Sequence, residues 1–291
     1  MDNEQVNMMK RIFIVTNPNK DVDYAVTKKT ADFLQSHGAE IFMFSSEERS
    51  NIHGCSYTAD YPDGIDLVIV IGGDGSFIDA AVYSERSDAA IIGVNLGKVG
   101  YLNEIEPDEI ESLAKIFSNE YKIVTKMLLE VLVEDKNGSS SVERLAVNDV
   151  VISNQEHLEI SDFVVYSKDG GVRYRADGAV ISTPQGSTAY SLSAGGPVVS
   201  HDAGAIILTP IAPHSFFNRS IVFGENELIK VKNTSSKSLN ISVDGRLVHE
   251  LLPSAKITVR SSNKKLKVMT FKDNNMFSNL FSKMQILEDI I

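Results

Sequence analysis

A run of small residues, Gly72–Gly73–Asp74–Gly75–Ser76, follows directly on the apolar stretch 66–71 and precedes an amphipathic segment. Glycines lack the Cβ that keeps other backbones at a distance, and the free N–H groups of a helix start favour negative charge. Such a strand–turn–helix junction therefore suits phosphate. The run lacks the Gly-Lys-Ser/Thr of a P-loop and the G-x-G-x-x-G of a Rossmann cofactor site, so neither label applies. Asp74 is the informative member. A carboxylate inside an anion-binding turn repels phosphate unless it handles a metal ion or takes a proton from an attacking hydroxyl. The alternative is a plain helix cap, since aspartate is a favoured N-cap residue.

A second concentration of chemistry lies further on. Arg173–Tyr174–Arg175–Ala176–Asp177–Gly178 is followed by Thr183–Pro184–Gln185–Gly186–Ser187–Thr188–Ala189–Tyr190–Ser191 and then by Ser193–Ala194–Gly195–Gly196–Pro197. Hydroxyls, glycines and an aromatic ring in one short stretch suit the ribose, phosphate and base of a nucleotide. The competing reading is an ordinary polar loop of a β domain. Lys98, Arg173 and Arg175 are the local cations to consider for phosphate contact, against the alternative of solvated surface charge.

Gly72–Gly73–Asp74–Gly75–Ser76, Asn148–Asp149, Arg175–Ala176–Asp177–Gly178 and the stretch 183–197, in this order and spacing, resemble the NAD kinase family. The Gly-Gly-Asp-Gly turn alone is shared in form with 6-phosphofructokinases, diacylglycerol kinases and sphingosine kinases. The Thr-Pro-Gln-Gly-Ser-Thr-Ala-Tyr-Ser stretch singles out the NAD kinases, and the likeness covers residues 11–260. It implies ATP- and Mg-dependent phosphorylation of the 2′-hydroxyl of the adenosine ribose of NAD, giving NADP, with Asp74 as proton acceptor. It places Gly75 against the substrate, with Gly72 and Gly73 in the same turn, and gives Asn148 and Asp149 nucleoside hydroxyls and base. Arg175 and Asp177 are implied near the dinucleotide, and Thr188, Ala189, Tyr190, Ser191, Leu192 and Ser193 along the adenosine. The nucleotide-binding set also takes in Tyr101, Arg173 and Arg246. Members are homodimers or homotetramers with sites completed across subunits.

Three departures from the family pattern stand out. Val99–Gly100–Tyr101 replaces the usual Leu-Gly-Phe, Asp149 stands where Glu is commoner, and Ser220 replaces a proline after the segment 214–219. None touches Asp74.

These residues need elements to position them. Residues 11–16, 40–44, 66–71 and 90–95 read as strands, and 23–37, 76–86 and 108–117 as helices, the last with Pro107 at its first position. The polar stretch 45–64 reads as a loop. This alternation predicts a doubly wound, mostly parallel α/β domain over 1–119. Short strand-like runs then dominate: 126–134, 145–153, 162–167, 179–183, 227–231, 239–243, 256–260 and 265–269. Turns are expected at Asn137–Gly138, Asp169–Gly170–Gly171 and Asp244–Gly245, and the result is a mainly β domain over 120–270. In 271–291, apolar residues from Phe277 to Ile290 lie at helical spacing, predicting a C-terminal helix that packs back on the first domain.

At 291 residues, 43% hydrophobic and 23% charged, the chain has an ordinary globular composition. The net charge of −11 argues against a nucleic-acid binder, which shows a basic face. A single cysteine, Cys55, fits a reducing compartment. The polar start and the lack of an apolar run of ~20 residues make cytoplasm the expectation, with no membrane. His37, His53, His157, His201 and His249 read as surface residues, whereas His214 is open between a structural bond and ligand contact. Two other functions stay open on residue grounds: a lipid kinase of the diacylglycerol or sphingosine type, and a non-catalytic dinucleotide sensor. Inorganic polyphosphate in place of ATP is open as well.

Overall fold

The computed structural model describes residues 10–97, 102–134, 140–155, 160–214 and 217–272. They fall into two compact units, one drawn from Met1–Thr125 and Leu266–Ile291, the other from Lys126–Lys265.

The first unit alternates strand and helix: β1 Arg11–Thr16, α1 Ala25–Ser36, β2 Glu40–Phe44, β3 Cys55–Thr58, β4 Leu67–Gly72, α2 Asp74–Ser87, β5 Ala90–Asn95 and α3 Ala114–Phe117. The strands pair in parallel in the order β3-β2-β1-β4-β5. Both faces of a parallel sheet are covered, which is why β4 and β5, up to the Asn95 that ends β5, are apolar runs with every residue buried. The pleat sends Ile12, Ile14, Ile69 and Ile71 into a core with Leu34 and Leu113. Phe13 points the other way, meeting the rings of Phe44 and Tyr61 edge-on at 4.8 and 4.9 Å.

The strand order reverses between β1 and β4, since β1 leads outward to β2 and β4 leads outward to β5. Open α/β sheets bind ligands in the crevice beyond the carboxyl ends of two such strands. Here those ends carry Asn17–Pro18–Asn19–Lys20 after β1 and Gly73–Asp74–Gly75 after β4.

The second unit is mainly antiparallel β. It comprises most of β6 Lys122–Glu134, then β7 Ser140–Ala146, β8 Asp149–Asn154, β9 Ser161–Ser167, β10 Gly170–Ala176, β11 Gly178–Ser182, α4 Tyr190–Ser193, β12 Ala205–Ile211, β13 Ile221–Gly224, β14 Ile229–Asn233, β15 Leu239–Val243, β16 Arg246–Leu251 and the first part of β17 Lys256–Thr270. One sheet runs β10-β9-β14-β17 and the other β13-β12-β11-β8-β15-β16. Side chains of both fill a common core, with Phe163, Tyr174, Val231 and Ile257 from the first sheet and Val150, Ile152, Ile181, Leu208 and Ile241 from the second. β17 pairs with β14 in this unit and, further along, with β5 of the first unit at Val268↔Ile91.

Several local expectations are corrected. The stretch 45–64 is not a bare loop: it holds a 3-10 helix, Ser45–Ser50, and β3, a half-exposed edge strand on β2. The helix expected over 108–117 is a 3-10 turn, Ile110–Leu113, running into α3, and Pro107 sits in the turn before it. Tight bonds such as Ser112 N to Glu109 O, 2.8 Å, hold that segment. The strand expected over 145–153 is broken at Val147–Asn148, and those over 256–260 and 265–269 are one strand. Gly170 and Gly171 open β10, so the hairpin turn is Lys168–Asp169. Strands β10, β12, β13 and β16 were not expected. Asn137–Gly138 and the helix predicted within 277–291 lie outside the described residues. No helix among the described residues is long and apolar enough to cross a membrane.

Candidate active site

In the first unit, β4 ends at Gly72 and Gly73 is the N-cap of α2, in extended backbone with no side-chain cap bond. Asp74 is the first helical residue, so the capping alternative does not hold. Its Oδ1 accepts hydrogen bonds from Leu102 N and Asn103 Nδ2, both at 3.1 Å. The segment after β5 thus fixes the carboxylate at the positive end of the α2 dipole. Space for a Cβ at Gly75 is open, with nothing within 4 Å.

The loop after β1 is fastened to this helix start. Asn17 N donates to Ile71 O at 2.8 Å, and Asn17 Nδ2 donates to Ser76 Oγ at 2.9 Å. Lys20 N and Asp21 N then both donate to Asn17 O at 3.0 Å, closing a turn. That turn lays the Lys20 side chain across Gly73, where an added Cβ would run into Lys20 Nζ. A Cβ on Gly97, after β5, would lie 3.7 Å from the same nitrogen.

In the second unit, three sequence-distant segments converge. Asp244 takes φ +48° in the two-residue turn between β15 and β16. Its carboxylate accepts the backbone N–H groups of Val147 (2.8 Å), Asn148 (2.8 Å) and Asp149 (3.1 Å). Thr183 joins from the other side: its N donates to Asn148 O, 2.9 Å, and its Oγ1 donates to Val147 O, 2.8 Å. Gly186 packs so closely that any Cβ would collide with the Asn148 carbonyl, which explains the glycine. Burial first, then the charge of Asp244, push the Asp149 carboxyl up to about 7. Burial also raises Asp244, but the three N–H groups and Arg144 oppose it, so Asp244 is the member of the pair that carries the charge.

The hydroxyl-rich stretch proves to be divided. Thr183, Ser187 and Ser191 are fully buried. Ser187 Oγ donates to Pro184 O and accepts from Val199 N, and Ser191 Oγ bonds Thr209 Oγ1 at 3.1 Å. These hydroxyls hold the loop itself. Tyr190, Leu192 and Ser193 are exposed, with Thr188 and Ala189 half-buried beside them.

Arg173, Arg175 and Asp177 alternate along one exposed face, while Tyr174 and Ala176 are buried between them. Arg173 pairs with Asp162 at 3.2 Å, and His214 N donates to Arg175 O at 2.7 Å. Asp177 adjoins the Gly178 end of β11, whereas Asp149 faces Ser182 at the other end. Four residue steps of ~3.3 Å separate those ends, so one chain does not bring the two groups together. Arg246, exposed, follows the Asp244 turn. Lys98, Val99, Gly100, Tyr101, His157, Ser215 and Phe216 lie outside the described residues. Among described residues, no three His, Cys, Asp or Glu side chains cluster as a metal cage. Sequence reading missed Lys20, Asn17, Asn103 and the role of Asp244; an Asn-Pro-Asn turn ending the first strand was the available hint for the first two.

Residues 12–123 match the family model described as ATP-NAD kinase N-terminal domain, and residues 147–271 match the ATP-NAD kinase C-terminal domain. An NAD kinase of Lachnoclostridium phytofermentans is 34% identical over 285 residues, covering 94% of this chain and 99% of its own. One of Caldanaerobacter subterraneus subsp. tengcongensis is 35% identical over 282 residues, covering 95% and 99%. Among solved structures, yeast NADH kinase complexed with NADH gives a TM-score of 0.87 at 22% identity, over 96% of this chain and 89% of that one, a likeness of fold. An NAD kinase from Archaeoglobus fulgidus in complex with ATP gives 0.71 at 26% identity, over 95% and 99%.

Proposed function

The chain belongs to the NAD kinase family, and from that membership we infer its reaction: it is an enzyme that phosphorylates NAD. In our reading the γ-phosphoryl group of ATP passes to the 2′-hydroxyl of the adenosine ribose, giving NADP and ADP. Asp74 accepts the hydroxyl proton as the new P–O bond forms and the bond to ADP breaks. The observation that supports this assignment is the Asp74 carboxylate, held by Leu102 and Asn103 at a glycine-lined helix start. A sugar hydroxyl is a weak nucleophile at neutral pH, and phosphoryl transfer runs through a loose transition state governed by alignment and charge. A well-placed base contributes about 10²–10⁴-fold. Magnesium fits best as part of the donor, since Mg²⁺ binds readily through substrate phosphates with one or two carboxylates. It would neutralise phosphate charge there, while Asp74 handles the proton.

Asn148, Asp149, Arg246 and the stretch from Thr188 to Ser193 are assigned to the dinucleotide, with the exposed Tyr190 ring suited to stacking on a base. Ser191 serves in this reading through the loop it braces. The separation of Arg175 and Asp177 from Asp149 supports a homodimer or homotetramer in which a second copy brings the arginine face to the site. Light scattering on purified protein reads that assembly, and a cytoplasmic location fits the same picture. The deciding assay incubates the protein with ATP, Mg²⁺ and NAD and follows NADP through a coupled dehydrogenase. Polyphosphate in place of ATP, and a lipid in place of NAD, test the other donor and the other acceptor. No NADP from any donor would remove the reading.

A further inference from the structure

We infer that Lys20 is a phosphate-binding residue of this enzyme, its ammonium group contacting the phosphate held at the start of α2. The inference rests on the reading of Gly72–Gly75 as the phosphate turn and extends it to a residue of another loop. Lys20 lies beyond the carboxyl end of β1 and Asp74 beyond that of β4, the two strands that flank the sheet's reversal point. The Asn17 bonds to Ile71 and Ser76 fix the Lys20 loop to the α2 start, so the juxtaposition is built rather than incidental.

The charge balance points the same way. Among the described residues, Lys20 makes no ion pair or side-chain hydrogen bond, in a chain of net charge −11. Lys28, Lys29, Lys168, Lys267 and Lys272 find oxygen partners, whereas Lys230, Lys232 and Lys256 share the state of Lys20 but do not lie over a glycine turn. Lys20 extends across Gly73 beside the N-terminal end of α2, so the ammonium group and the backbone N–H groups of that turn lie on the same side of the Asp74 helix start. A phosphate oxygen seated there satisfies both, through a charge-assisted bond from the ammonium and backbone N–H groups from the helix. The absent side chain at Gly73 leaves the room that the Lys20 ammonium group takes. The ligand class is a nucleotide phosphate, either the donor's triphosphate or the dinucleotide's pyrophosphate.

The test uses the full chain with Lys20→Ala and Lys20→Arg, measuring equilibrium binding of ATP and of NAD separately by calorimetry, alongside kcat and KM. Lys20→Ala should weaken at least one ligand by about tenfold, the size of one charge-assisted contact, and Lys20→Arg should recover most of it. A loss confined to ATP assigns the triphosphate, and one confined to NAD assigns the pyrophosphate. The melting temperature should not move, because the side chain is exposed and holds nothing in the fold. Unchanged affinity for both ligands with unchanged KM overturns the inference. Asp74→Asn is run in parallel. Normal turnover there removes the site reading itself, whereas a dead Asp74→Asn beside an unaffected Lys20→Ala removes only the role of Lys20.

Discussion

The α2 start and the loop from Thr183 to Ser193 are alike in composition, both made of glycine, hydroxyl and small residues, yet they use those residues in opposite ways. At the α2 start, Gly73 and Gly75 add no side chain, and the exposed Lys20 side chain lies across Gly73. In the loop, the hydroxyls of Thr183, Ser187 and Ser191 turn inward and bond backbone or Thr209. The same residue types thus expose a backbone in one place and brace one in the other. What decides is whether the surrounding main chain has unmet donors and acceptors of its own.

The largest expected effect would break the chemical half of this contrast. Asp74→Asn should lower kcat by about 10²–10⁴-fold while ATP and NAD affinities stay within a few-fold, read by the coupled assay and by calorimetry. Asp244→Ala comes next. Removing the acceptor of three backbone N–H groups should raise KM for NAD by about tenfold, more than KM for ATP, and cost about 1–3 kcal/mol in urea unfolding. Thr183→Val should cost about 1–2 kcal/mol of stability, because it strips the Val147 and Gly186 bonds. Ser193→Ala, exposed on the same loop, should stay within about 0.5 kcal/mol. Equal losses from those two would erase the division drawn within the loop.

A further expectation is a pH dependence. Asp149 titrates at about 7 in the folded chain, against an ordinary aspartate value near 3.8. The folded chain therefore binds this proton more tightly than the unfolded one. Its stabilising contribution is full below about pH 4 and is lost as pH rises through about 7. Asp149→Asn cannot ionise, so its urea midpoint relative to the parent should rise between about pH 5 and pH 8. Glu47, also raised to about 7 by burial, falls away in that difference. A flat difference across the window would show that Asp149 is not held as a buried acid.

The fold was most legible where burial is complete. β4 and β5 announce themselves as apolar runs, and the glycines after β4 mark the turn. β3 did not, because an edge strand with one half-wet face carries Cys55, Ser56 and Thr58 without an apolar pattern. β12 was hidden by Pro210, which is tolerated because β13 pairs only with Ala205–Leu208 and stops short of it. In the candidate site, Asp74 was legible by type, but its holders, Leu102 and Asn103, lie 28 and 29 residues on. Asp244 and Asn148 are 96 residues apart. Pairings across such distances leave no periodic trace, so only the folded chain discloses them.

β17 has a consequence for synthesis on the ribosome. Its residue Val268 pairs with Ile91, and Met269 enters the core that Ile12 and Ile14 began. The second unit is one continuous stretch and can close as soon as Lys265 has emerged, but until Val268 follows, the Ile91 end of β5 lacks its outer partner, although Val94 is already bridged by Ile105. Nascent chains arrested just short of that point should therefore resist protease within Lys126–Lys265 while the earlier segment is still being cut.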